Sequence, residues 1–203
     1  MFYLSMNICA NNISFKSKIN FVNASEFQRI KNGAFIGFRT AEESLRCADE
    51  FYLENVRTCA GGCLTNTKTH KTAGFHFYDS EDRIKRVIEM LKETFESIRP
   101  DKCLLFGGNN LKCGPFSMKQ FEILKNFIEP RVEKMTVFEE HLFPYAETNL
   151  HYSAKDDVFN IHSMYRPNYD YKEHDLLTQE ELPICFRNVI ISPDDEVIFH
   201  NEK

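Results

Sequence analysis

The chain has 203 residues, 42% apolar and 27% charged, which suits one folded core and excludes wholesale disorder. A net charge of −5 excludes a general affinity for nucleic acid or anionic membrane, since both need a basic surface. No run approaches the roughly 20 apolar residues that span a bilayer, and residues 1–7 lack the basic and apolar regions of a secretory leader.

In chain order, residues 13–21 read as a strand, a short helix follows Ser25, and residues 34–38 read as a second strand. Thr40-Ala-Glu-Glu43 has capping-box spacing and predicts a helix running to about Tyr52. Residues 73–78 alternate as a strand, with Phe75 and Phe77 on one face and His76 on the other. Ile84, Val87, Ile88, Leu91, Phe95 and Ile98 recur at helical spacing and stop at Pro100. The apolar strand 103–106 ends in Gly107-Gly108, and Ser117-Met-Lys-Gln120 offers a second capping box before Phe121, Leu124, Phe127 and Ile128. Strands are expected at 132–138 and 158–162, loop at 167–183, and a hairpin from 189–191 and 197–199. The sum is an α+β fold in a single domain, 1–203: a mostly antiparallel sheet or sandwich with flanking helices.

Seven cysteines, an odd number without disulfide spacing, read as reduced thiols of a cytosolic compartment. The dense constellation is Thr58-Cys-Ala-Gly-Gly-Cys63, followed by His70 and His76. A cysteine nucleophile needs a thiolate, and an imidazole on the adjacent strand can take its proton. Cys63 and His76 stand thirteen residues apart, a separation that suits two strands joined by a polar turn. Glycines beside the thiol leave backbone N–H groups open to an oxyanion. On the same residues, Cys63 can equally be a buried small hydrophobe and His76 a satisfied sheet histidine. A third reading takes Cys59, Cys63, His70 and His76 as zinc ligands, although the gap between the pairs is shorter than in zinc fingers. Cys59 lacks adjacent glycines, and His70 lies in a Thr/Lys-rich turn that reads as solvated loop.

Thr58-Cys-Ala-Gly-Gly-Cys63 and Ala73-Gly-Phe-His-Phe77 resemble the Thr…Gly-Ser-Cys and Gly-x-x-His-Phe elements of the chemoreceptor glutamine deamidases (CheD). The similarity continues through the following helix into Lys102-Cys-Leu-Leu-Phe-Gly-Gly-Asn109 and covers about residues 55–140. Gly61-Gly-Cys63 is also similar to the Ser-Gly-Cys of cytotoxic necrotizing factor and Burkholderia lethal factor toxins.

The resemblance implies a protein-glutamine deamidase that needs no cofactor and no metal. Cys63 would attack the side-chain amide, His76 would activate the thiol and protonate departing ammonia, and water would cleave the thioester. Thr58 would orient His76, with Asn66 and Asp79 as alternative orienters, and the backbone at Gly62 and Cys63 would hold the oxyanion. Asp79-Ser80 otherwise reads as a helix N-cap. The partner is a protein carrying a reactive glutamine; the place of action is the cytoplasm or, for an effector or toxin, a host cytosol. Residues 141–183 have no counterpart in that family and read as an irregular insertion whose Tyr145, Tyr152, Tyr165, Tyr169 and Tyr171 could recognise the partner. The competing functions are a non-catalytic protein-binding module of the same fold and a thiol transamidase or isopeptide hydrolase.

Overall fold

A computed structural model describes residues 17–31, 36–38, 44–108, 116–139, 146–165, 174–175 and 196–199. Along the chain these form β1 (Lys18–Phe21), α1 (Ala24–Lys31), β2 (Ile36–Phe38), β3 (Ser44–Cys47), β4 (Glu50–Val56), β5 (Ala60–Asn66) and β6 (Lys71–Phe77). Next come α2 (Ile84–Ile98), β7 (Lys102–Gly107), α3 (Ser117–Ile128), β8 (Lys134–Glu139), β9 (Ala146–Ser153), β10 (Val158–Tyr165), β11 (His174–Asp175) and β12 (Glu196–Phe199).

The strands sort into two sheets. One runs β12-β1-β10-β9-β4-β2, with β11 paired to β10; the other runs β3-β6-β5-β7-β8. Period-two burial explains the arrangement. Phe51 and Leu53 of β4, Leu150 and Tyr152 of β9, and Phe159 and Ile161 of β10 turn inward from the first sheet. They meet Cys63, Leu104, Phe106 and Phe138 of the second, closing a sandwich. The opposite face of the second sheet presents Leu64, Phe75, Phe77 and Leu105 to Val87 and Leu91 of α2 and to Phe121 and Leu124 of α3. Each such side chain contributes about 1.5–3 kcal/mol by leaving water. The fold is α+β, as expected.

The helices follow their apolar stripes. In α2, Val87, Leu91, Thr94 and Ile98 are buried, and the helix stops at Arg99, whose backbone is left-handed at φ 50°, just before Pro100. Asn66 Nδ2 donates to the carbonyls of Ile98 and Arg99 at 3.0 and 2.7 Å, so the helix end is tied to the β5–β6 turn. α3 joins the parallel strands β7 and β8.

Three expectations change. The helix predicted from Thr40 to Tyr52 is instead β3 and β4 over its described part; residues 40–43 lie outside the described residues. Here tertiary context overrides the local cap pattern: β4 stands between β2 and β9, burying Phe51 and Leu53 while Tyr52 and Glu54 stay half-buried. The capping box at Ser117 does not form. Phe116 occupies the N-cap with no side-chain bond, and Gln120 donates to the Tyr78 carbonyl at 2.7 Å instead. The supposed insertion at 141–183 supplies β9 and β10, a hairpin central to the first sheet. At the C-terminus β12 pairs in parallel with β1, while residues 189–191 lie outside the described residues.

Candidate functional site

The register of the β5–β6 hairpin sets the geometry. Gly61 stands opposite His76 and Cys63 opposite Gly74, so Cys63 and His76 share the face of the second sheet that looks into the sandwich. They are diagonal neighbours, a spacing of about 7–8 Å that an aromatic side chain can bridge. Cys59 lies two residues before Gly61 and joins the same inter-sheet cluster. His76, fully buried, therefore stands between two cysteines, one toward each end of the strand.

Cys63 occupies the inner position. It is 1% exposed, and burial pushes its thiol up to about 12 despite the nearby Lys102 ammonium and a Thr65 hydroxyl 4.0 Å from the sulfur. The expected oxyanion donors are also committed. Gly62 and Cys63 lie in a strand paired on both sides, by β6 and by β7, so their N–H groups belong to the ladders. Gly62 is glycine for close approach: a Cβ there would lie 2.0 Å from the Leu104 carbonyl oxygen.

Cys59 occupies the mouth of the strand. Its sulfur accepts hydrogen bonds from the Thr58 hydroxyl and from the backbone N–H groups of Asp79 and Arg57, and burial nonetheless pushes the thiol up to about 12. The surroundings are more open: Thr58 is half-buried and Tyr78 is 46% exposed. The Thr58 hydroxyl, expected to orient His76, is engaged with the sulfur of Cys59. Asp79 caps no helix at Ser80; its carboxylate accepts from the Phe116 N–H at the start of α3, and burial raises it to about 6. Gly107 and Gly108 turn the chain beside this site at φ 142° and 79°, where a side chain would strain the backbone.

The other candidates lie elsewhere. His70 is exposed at φ 56° in the β5–β6 turn, at the opposite end of the hairpin from Cys59, so the four residues of the zinc reading do not converge. Asn66 is occupied at the same turn, by α2 and by the N–H groups of Lys68 and Thr69. Tyr152 is fully buried and recognises nothing outside; the side chains of Tyr145, Tyr165, Tyr169 and Tyr171 lie outside the described residues.

Sequence reasoning missed two polar networks. Lys102 opens an apolar strand yet is 2% exposed, bonding Ser17 and Asp157 while lying 4.8 Å from the Phe159 ring centroid. The Tyr152 hydroxyl donates to the same carboxylate at 3.1 Å, beside a cavity of about 140 Å³ lined in part by Thr65 and Asp157. On the outer face of the first sheet, Asn20 donates to Asn160, Asn160 meets His151 Nδ1 at 3.1 Å, and His151 Nε2 meets Glu50 at 2.7 Å. The amide donating to Nδ1 places the imidazole proton on Nε2, facing the carboxylate. Burial lowers the His151 pKa. The only sequence signal for this row was the run of polar residues alternating through β9 and β10.

The chain matches no model of a known protein family, and comparison with curated proteins finds no match. Among the described residues, no helix is long and apolar enough to cross a membrane.

Proposed function

We propose that the chain is a cysteine-dependent protein-glutamine deamidase in which His76 works with Cys59, the thiol at the strand mouth, and not with Cys63. The observation that carries this reading is the shared face. His76 stands diagonal to both cysteines; Cys59 adjoins half-buried Thr58 and exposed Tyr78 and has three hydrogen-bond donors, where Cys63 has two, the Thr65 hydroxyl and the Leu104 N–H. Those donors offset part of the burial that raises the thiol, and so lower the cost of the thiolate that attack on an amide requires. His76 would take the thiol proton and return it to departing ammonia, and water would then release glutamate from the thioester. The resemblance of the Cys–His segment to the receptor deamidases supports the deamidation chemistry, although it matches Cys63 and not Cys59 to their nucleophile; the target is a protein bearing a reachable glutamine.

Incubation with lysate and mapping of glutamine-to-glutamate sites tests it. Cys59→Ser and His76→Ala should abolish the conversion, and Cys63→Ser should retain most of it. Conversion that survives Cys59→Ser but not Cys63→Ser returns the nucleophile to the inner cysteine. The burial of both sulfurs, with each thiol at about 12, favours a second reading, a non-catalytic protein-binding module. Absence of any conversion, with binding of partners intact in all three variants, supports that one.

A further inference from the structure

The place where β6 ends, α3 begins and β5 starts holds two buried oxygens without donors among the described residues. Gln120 is fully buried; its amide nitrogen donates to the Tyr78 carbonyl at 2.7 Å, which fixes the flip, and its Oε1 has no hydrogen-bond partner among the described residues. Asp79, the residue after Tyr78, also buries an Oδ1 without a partner among the described residues, although its carboxylate accepts from the Phe116 N–H. The Tyr78–Asp79 peptide links this pair to the thiol: its carbonyl accepts from Gln120 on one edge, and its N–H donates to the Cys59 sulfur on the other. Buried acceptors are ordinarily satisfied, and those that are not call for a donor.

We propose that Gln120 Oε1 and Asp79 Oδ1 recognise the NH2 group of a primary carboxamide presented to Cys59. A primary amide carries two N–H donors on one nitrogen, one for each oxygen, beside a carbonyl carbon that a thiol can attack. A secondary amide can satisfy only one of the oxygens, and an ester neither. This assignment rests on Cys59 being the reactive thiol of the deamidase reading, and it adds how the amide is told from other acyl groups.

The wild-type chain tests it without any target protein. Iodoacetamide carries the NH2 group and N,N-dimethyl iodoacetamide does not; with both, a sulfur–carbon bond forms, iodide leaves and the thiol proton is released. Rates are read by peptide mapping at Cys59 and at the exposed Cys47. The preference for the NH2 reagent should be at least tenfold larger at Cys59 than at Cys47, and Gln120→Met, which keeps the volume but removes the oxygen, should lose it. Equal preferences at the two cysteines, no modification of Cys59 by either reagent, or a preference unchanged in Gln120→Met would each overturn the assignment. Faster aminoethylation of Cys59 by 2-bromoethylammonium, relative to Cys47, without the amide preference would also overturn it in favour of an ammonium site. Failure of glutamine conversion in lysate, with the reagent preference intact, would sink the deamidase reading and leave this one standing.

Discussion

Burial sets the behaviour of the individual residues at this site. A thiol at about 12 is protonated throughout the neutral range, so Cys59 and Cys63 should alkylate ever faster as pH rises, with no plateau below pH 10. Exposed Cys47 should lead both at neutral pH, and rate profiles from pH 6 to 10 check this. Asp79 gives an opposite, acid-side effect. Its carboxyl is raised from 3.8 to about 6, so the folded chain holds that proton more tightly than the unfolded one. The stability so gained is fully present below pH 3.8 and lost as pH rises through about 6. Asp79→Asn should remove that part of the stability curve between pH 4 and 6 in denaturant titrations. Lys102 is a buried cation held by Asp157. Asp157→Ala should cost about 3–5 kcal/mol, because the ammonium would remain buried without its counter-charge.

At the scale of elements, β5 is constrained by what flanks it. A Cβ on Gly62 would press into the Leu104 carbonyl oxygen at 2.0 Å, and backbone cannot step aside as a flexible side chain can. Gly62→Ala should therefore cost about 3 kcal/mol, near the top of ordinary overpacking penalties, with β5 and β7 forced apart; chemical denaturation measures it. Elements with one strong period were legible in the sequence. The stripe of α2, the alternation of β6 and the short apolar β7 all appear near their expected bounds. The helix expected before Tyr52 failed because a cap motif is a local signal, whereas β4 is decided by the two strands beside it. The Ser117 box failed for a related reason: Gln120 found the Tyr78 carbonyl, a partner 42 positions away.

At the scale of the molecule, the sequence conveyed the class, an α+β sheet or sandwich with flanking helices, but not which residues the sandwich seals. That Cys63 and His76 share a face follows from the register of the β5–β6 hairpin, which alternation within each strand does not set. That the first sheet closes over Cys63 could not be read from the sequence, because its covering strands β9 and β10 come from the stretch read as an insertion. The same closure hid Lys102 and Tyr152, whose residue types suggest exposure until the second sheet is placed. It also transfers interest to Cys59, at the end of the strand where the sandwich opens toward Tyr78. The proposal that His76 serves this outer thiol is tested most directly by the alkylation rate of Cys59 at pH 8, in wild type and in His76→Ala. Loss of tenfold or more at Cys59, with Cys47 unchanged, is the expected result; an unchanged rate at Cys59 in a folded His76→Ala would contradict the pairing.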